Sequence, residues 1–486
     1  MESYSQILER SSRSRTNYLL LKFAGWLNEP KSVLILMLGA FVIRAGFGIA
    51  LGERYLPMAD QIVFDELAKN ISSGKGMMIT DRLILPPEDA PEEVLEIYTT
   101  RPERIRDLRL NALWGVIQPG QPTAFIEPMI PVIFAVTYKF FGPGLLVPRL
   151  LQSLLDALVV GMIFGIGTLI FPKSKAPGIA AFIYVFYPFS IMFTGALITQ
   201  PIYLFLQCAS IYLFYRFMKE PSWFIAIVFG LAFGMTILSR ISIIVFVPFF
   251  LAALYFSDFG KRNYLPALVS LVLAGLLLIP WVVRNEKAMG KPLLLPSKGG
   301  RNFWEYNNQL FTLERLNATN LEGVDVTYQN FAKRNIDKIV GKQFIEFPEF
   351  TNETELERDA ILNHNVMEFI KHNPGIYIKL CFYRLYQFFR IMPSHHPHLF
   401  FKIAALCSFG WILPLSLIGI VLSLKYWRKT LLILLLIFYN ISVHTLTASG
   451  IPHRLPLDPF FILFAAFTLS VILEKTGIII KEITTK

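Results

Sequence analysis

The sequence predicts an all-helical protein that crosses a membrane about ten times, and two observations carry that expectation: bulk hydrophobicity and the spacing of the apolar runs. Of 486 residues, 54% are hydrophobic and 17% charged, with a mean hydropathy of +0.50, which is more apolar than the surface of a water-soluble domain tolerates. The apolar residues fall into runs near the roughly 20 residues that a helix needs to cross a bilayer. Lysine and arginine exceed the acids by 11. These cations cluster between apolar runs and form no stripe interleaved with aromatics, so they read as anchors on anionic lipid and exclude a nucleic-acid surface. Cys208, Cys381 and Cys407 have no paired spacing and suggest packing, not a disulfide framework or a metal site.

Taken in order, residues 1–31 carry Arg10, Arg13, Arg15, Lys22 and Lys31 with no small-residue cleavage site, which predicts a retained cytoplasmic tail. Span one is 32–51. Further spans are expected at 145–170, 177–196, 201–217, 222–239, 241–257 and 264–283, completing an N-terminal membrane module over 32–284 that contains a first outer loop, 52–124. A second outer loop occupies 285–374. Residues 375–474 supply an interfacial helix and spans at 399–424, 430–448 and 456–474, before a cytoplasmic tail at 475–486. Ten spans return both termini to one side. The alternate connections FPKSKAP, RFMKEPS, SDFGKRN and KYWRK are the basic ones, so the positive-inside rule places them and both tails in the cytoplasm. Two shorter apolar stretches, 126–141 with Pro128 and Pro131, and 375–389 with Lys379 and Arg384, read as amphipathic helices at the outer interface; if either spanned, the downstream sidedness would invert.

The polar residues that a bilayer should not tolerate gather on the outer side of this layout. They are Asp60, Asp65 and Glu66 after span one, Glu127, Arg149 opening span two, Gln200, Arg240, Arg284 ending span seven, and His453 with Arg454 before the last span. Interfacial arginines can also be simple snorkelling anchors. Several on one face, beside carboxylates, suit transfer from a phosphate-linked donor: a carboxylate can act as general base, and guanidinium groups match a departing phosphate. Helical phase within the stretch Tyr55–Gly76 puts Asp60, Val63, Phe64, Leu67 and Ile71 on one stripe and turns Asp65, Glu66, Lys69, Ser72 and Ser73 away, toward water or polar loops. Asp60 is therefore the candidate base, against a plain N-cap as its alternative.

These residues resemble the GT-C superfamily of polyprenyl-phosphate-sugar glycosyltransferases, in the branch of protein O-mannosyltransferases and the lipid A aminoarabinose transferase. The likeness begins at Asp60, which is followed by an aromatic, an Ala and Gly-x-Gly. It continues through IEPMIPVIFAVTYKFFG, VPRLLQSLLDAL, YVFYPFSIMFTGALIT, LSRISIIVFVP, IPWVVRN, GGRNFWEYNN, HNPGIYIKLCFYRLYQFF and HRLPLDPFF. The resemblance implies a GT-C fold and an active site open at the outer face of a plasma membrane. There Asp60 would activate an envelope lipid, glycan or protein acceptor, and a sugar would leave a polyprenyl phosphate with inversion. Glu127 would orient donor or acceptor, and Arg240, Arg284 and Arg454, with Arg149 behind them, would meet the lipid phosphate. Asn302, Trp304 and Asn307 would line the cavity under the second outer loop, and Asp65 and Glu66 would support from behind. Gln200 departs from the pattern, since relatives usually carry Glu or Asp there, which leaves more of the burden on Asp60, or signals an altered substrate choice or an inactive relative.

No cofactor is expected. No Asp-x-Asp stands at Asp60 to demand a divalent cation. The His395, His396 and His398 run is spaced too tightly for ordinary zinc and is broken by Pro397, while Asp156 and His444 read as helix-to-helix hydrogen-bonding groups. Two other classes remain in view, a lipid-linked-sugar flippase and a non-catalytic glycan-assembly protein. A flippase should place its polar residues near mid-membrane with repeat symmetry; here they gather at one face, and no repeat is visible.

Overall fold

The structure, a computed structural model, describes residues 19–54, 60–79, 116–118, 120–257, 263–308, 352–391 and 399–484, without the side chains of residues 60, 400, 401, 404 and 477–484. Among these residues the only regular structure besides helices and turns is one isolated bridge between Met78 and Pro122. The first half runs α1 (Pro30–Leu51), α2 (Asp60–Ser72), α3 (Met129–Phe141), α4 (Leu146–Ile170), α5 (Ala176–Val185), α6 (Pro188–Thr194), α7 (Thr199–Lys219), α8 (Trp223–Ser239), α9 (Val247–Phe256), α10 (Tyr264–Leu276) and α11 (Ile279–Met289). The second half adds α12 (Gly299–Glu305), α13 (Glu355–His372), α14 (Pro374–Phe389), α15 (Leu399–Ala405), α16 (Ile412–Ser423), α17 (Trp427–Leu446), α18 (Ile451–Arg454) and α19 (Asp458–Thr484).

Every expected span coincides with a helix or a closely joined pair. Length and composition alone support five crossings among the described residues, or six if α5 and α6, bent by 50°, count as one. The shortfall has visible causes. Trp223–Ser239 and Ile241–Phe256 are short, Thr199–Lys219 is long enough but not apolar enough to count, and Leu406–Leu446 runs on as a single stretch of 41 residues. That stretch is interrupted at Tyr426, whose φ of −112° and ψ of 22° leave the helical region. Its two parts pack on different partners, α16 on α19 and α17 on α14 and α9.

Two hydrophobic clusters organise the chain. The larger joins the membrane helices around the Phe-rich α19. The smaller collects α2, α3, residues 116–126, Trp281, Trp304 and α13 into a cap at the end of the bundle that carries the polar insertions. Close approach at Gly419 seats α16 on α19: a Cβ there would lie 2.0 Å from the Phe464 carbonyl oxygen, so only glycine lets the backbones meet.

The bundle holds two buried ionic networks, both fastened to the bent α5–α6 segment. In the first, Arg44 of α1 pairs through Nε with Asp156 of α4. Tyr184 Oη and Ser190 Oγ donate to the Asp156 carboxylate at 2.7 and 2.6 Å, and the Arg44 terminal nitrogens donate to the carbonyls of Val185 and Tyr184. In the second, Tyr187 donates to Asp458 at 2.5 Å, and Arg454 Nε donates to the same carboxylate at 3.0 Å. The expectation that Asp156 bonds another helix holds; its partner Arg44 carries no motif, although an arginine two-thirds along an apolar span is itself a signal.

Candidate active site

The polar helix ends do converge, but the structure gives them different tasks. Asp60 is the first residue of α2, and its side chain lies outside the described part. Its neighbour Gln61 is fully buried and accepts from the Leu197 backbone N–H at 3.3 Å. This contact docks the start of α2 beside the start of α7, where Gln200 stands half-buried.

Helical phase places the α2 stripe correctly at Val63, Phe64 and Leu67, which are buried, with Ile71 half-buried. It misplaces Asp65. That residue is 5% exposed and faces α3, from which Tyr138 Oη donates to it at 2.6 Å, while Lys69 Nζ, one turn along α2, donates at 2.7 Å. Two neighbours, α3 and the 194–197 turn, pack on α2, so its buried face is wider than one stripe. Glu66 is half-buried and accepts from Asn70 Nδ2 at 3.1 Å, bracing its own helix.

Of the four arginines expected at a lipid phosphate, three donate to backbone carbonyls from remote segments. Arg149, fully buried, donates from Nε to Gly195 O at 2.7 Å, from Nη1 to Gly52 O and from Nη2 to Arg54 O at 2.5 Å, lacing α4 to the end of α1 and to the turn before α7. Arg284 donates to Thr123 O at 2.8 Å and to Met77 O at 3.0 Å, binding α11 to the two strips of the first outer loop that meet at the Met78–Pro122 bridge. Arg454 pairs with Asp458, donates to Arg390 O at 2.9 Å, and lies with its guanidinium carbon 3.5 Å from the Phe409 ring centre; one of its terminal nitrogens has no partner among the described residues, yet the group is sealed from solvent. Buried guanidinium groups are stabilised by carbonyl acceptors because they carry five donors that must be satisfied.

Arg240 differs. It sits at the break where α8 ends and the turn Ile241–Phe246 begins, with its guanidinium carbon 4.9 Å from the Tyr203 ring centre. Its Nη1 is buried and has no hydrogen-bond partner among the described residues. A buried unpaired donor on a cation costs several kcal/mol unless something accepts from it, roughly 1–3 for a neutral group and more for a charged one. Around it stand groups from four remote segments. Lys298 Nζ pairs with Glu127 Oε2 at 2.5 Å; the His444 and His453 rings lie 4.6 Å apart; and both Arg240 and Lys298 are close enough to act electrostatically on His453. His444 Nδ1 contacts the Ala448 carbonyl at 2.9 Å, and His453 Nδ1 is buried with no partner among the described residues. The structure thus brings together Glu127, Arg240 and His453 from the expected set, and adds Tyr203, Lys298 and His444. Lys298 had no motif to mark it; only the tertiary contact with Glu127 singles it out.

The remaining expected residues serve the frame. Trp304 is buried in the cap cluster. Asn302 accepts from Arg301 at 2.9 Å, and Asn307, fully buried, accepts from Arg384 Nη1 at 2.9 Å. Arg384 does not snorkel to an interface: it is 1% exposed and also donates to Thr445 O at 2.7 Å and Tyr306 O at 3.0 Å, welding the GGRNFWEYNN segment to the end of α17. The loop presenting Lys298 is held on both flanks by α13. Glu355 accepts from Ser297 Oγ and from Ala124 N at 2.9 Å, and Asp359 accepts from Arg301 N at 3.0 Å. The histidine run at 395, 396 and 398 lies outside the described residues, and among those described no three His, Cys, Asp or Glu gather as a metal-holding group.

Burial pushes the Glu355 carboxyl above its ordinary range, against hydrogen bonds from Ser297, Thr123 and Ala124 and the nearby Arg284 charge. An acid with a raised folded-state pKa holds its proton more tightly folded than unfolded. Its contribution to stability is therefore complete below the ordinary Glu value of about 4.3 and is lost as pH rises through the folded value. The thermal midpoint of the purified protein should fall across that window, and Glu355→Gln should flatten the fall; identical pH profiles would contradict it.

No curated protein matches the chain in sequence. In structure it resembles the Archaeoglobus fulgidus oligosaccharyltransferase in its apo form, with a TM-score of 0.51 at 13% identity over 92% of this chain and 51% of that one. The same enzyme tethered to an acceptor peptide containing the NVT sequon gives 0.50 at 13% identity over 92% and 50%. A looser likeness, 0.40 at 12% identity over 91% and 79%, is to ArnT from Cupriavidus metallidurans bound to undecaprenyl phosphate. The chain spans about half the length of the oligosaccharyltransferase it matches. The protein is a multi-pass membrane protein with the GT-C fold. Residues 121–283, about a third of the chain, match the family described as dolichyl-phosphate-mannose-protein mannosyltransferase.

Proposed function

We propose that this protein is a membrane glycosyltransferase that takes a sugar from a polyprenyl-phosphate carrier and passes it, with inversion, to an envelope lipid, glycan or protein. The observation that carries the reading is Arg240: a half-buried guanidinium with an unsatisfied donor, stacked on Tyr203 and grouped with Lys298, His453 and Glu127 at the capped end of a GT-C bundle. Asp60, at the head of α2, would take the proton from an acceptor hydroxyl or amine. The freed oxygen or nitrogen attacks the anomeric carbon from the face opposite the phosphate, the carbon–oxygen bond to phosphate breaks, and the electron pair leaves on the polyprenyl phosphate. Arg240 and Lys298 meet that negative charge as it develops. Gln200, beside Asp60 in the docked helix starts, offers an amide to a sugar hydroxyl. The plasma membrane, with the cap facing outward, is the setting that the basic short connections favour.

The test is transfer of radiolabelled sugar from a panel of polyprenyl-phosphate sugars to envelope extracts by the purified full-length protein. Arg240→Gln should lower kcat/KM for the donor by about 10²-fold, the scale of losing one preorganised charge-stabilising donor, while Arg240→Lys retains part of it. Wild-type protein inactive with every donor would sink the reading.

A further inference from the structure

A second basic site lies outside the candidate active site, on the far side of α2. The last turn of α2, the turn that follows it and the end of α3 enclose a groove of about 500 Å³ lined by Glu66, Lys69, Ser72, Lys75, Tyr138 and Lys139. We propose that this groove binds the phosphate headgroup of an anionic membrane lipid.

Three features support it. The first is construction. Gly74 and Gly76 both take positive φ, 82° and 84°, in the left-handed region that favours glycine, and so place Lys75 on a tight turn. That turn is pinned from both ends: Lys75 N donates to Asn70 O at 2.8 Å, Asn70 Nδ2 donates to Met78 O at 2.8 Å, and Met77 O accepts from Thr123 N and from Arg284. The groove wall is therefore built in place.

The second is charge. Lys69 is matched by the buried Asp65, which Tyr138 also holds. Lys75 and Lys139, both exposed, have no ion-pair partner among the described residues. Glu66 is the one further carboxylate on the lining, so the two lysines leave this small cleft net positive, which attracts a compact anion.

The third is position. Beside Lys139, α3 turns out a continuous apolar strip of Val132, Val136 and Phe140 at helical spacing, with Phe140 77% and Phe141 72% exposed. Such a strip rests in the acyl region of a bilayer, and a lysine at its end sits at headgroup depth. A lipid whose tails lie along α3 would bring its phosphate to the mouth of the groove. A free phosphate would gain nothing from the strip.

The inference does not depend on the transfer reaction. Native mass spectrometry of the detergent-solubilised full chain, titrated with phosphatidylglycerol or with phosphatidylcholine of the same acyl chains, tests it. Phosphatidylglycerol should bind preferentially and weaken with added salt. Lys75→Gln/Lys139→Gln should weaken it by about 25-fold, from about fivefold for each lysine near a headgroup. Lys75→Arg/Lys139→Arg should keep binding, and Lys287→Gln/Lys291→Gln should leave it unchanged. Equal affinity of the Gln variant and the wild type, or of the two lipids, would overturn the proposal. So would displacement of phosphatidylglycerol by millimolar inorganic phosphate, which would make this a free-anion site.

Discussion

Asp60→Asn is expected to slow sugar transfer by 10²–10⁴-fold, the usual worth of a positioned general base. Asn keeps the size and the hydrogen-bonding capacity of the side chain, so a mere N-cap would tolerate it with little loss. That contrast is what makes the variant informative. The effect should appear in kcat more than in donor KM, because the base acts on the acceptor proton as the bond forms. A simultaneous Gln200→Glu change, which places a carboxylate at the head of α7, should not rescue it if Asp60 alone carries the proton. Undiminished transfer by Asp60→Asn would remove the proposed base, and recovery in the double variant would move the role to α7.

The second large effect concerns stability. Asp156→Ala should destabilise the folded protein by about 3–5 kcal/mol, because it leaves the Arg44 guanidinium buried without its counter-charge. The Tyr184 and Ser190 hydroxyls would lose their acceptor in the same step. Thermal unfolding in detergent, followed by fluorescence-detected size exclusion, reads it. Removing both charges with Arg44→Met/Asp156→Leu should recover much of the loss, since an apolar pair of similar volume can replace a buried ion pair. If Asp156→Ala unfolds at the wild-type temperature, the network is not a tie between α1, α4 and α5.

The two networks also bear on how the site is held. Tyr184 and Tyr187 are three residues apart on either side of the α5–α6 bend, and each reaches a different Asp–Arg pair. One pair links α1 with α4, the other anchors α18 and α19. The bent segment leads directly into the 194–197 turn that Arg149, Gln152 and Gln61 grip. The start of α7, with Gln200, is thereby fixed relative to the start of α2, with Asp60.

How much of this was legible beforehand can be argued residue by residue. The helical segments were, because about 20 apolar residues between basic connections have few other physical solutions. The gathering of polar residues at one end was legible too, from their position at the ends of apolar runs. The roles of the arginines were not. Arg149, Arg240, Arg284 and Arg454 look equivalent in sequence, each flanking a hydrophobic run. Which of them is satisfied by carbonyls depends on where distant turns pass, and only at Arg240 does a buried terminal nitrogen remain unpartnered while the side chain is still partly open. The burial of Asp65 is hidden for a related reason: helical phase treats a helix as having one buried face, whereas α2 is packed from two directions.

The sequence by itself therefore determined that this chain is a polytopic helical membrane protein with polar chemistry concentrated at helix ends, because hydrophobic burial and the cost of unpaired backbone in lipid act locally and leave their mark as runs and breaks. Tertiary structure alone decided which cations are spent on architecture and which stand over a cleft, and it alone brought Lys298 to Glu127 and set Lys75 beside Lys139. Hydrogen-bond satisfaction is a property of neighbours far apart in the chain, and no periodicity within one helix encodes it.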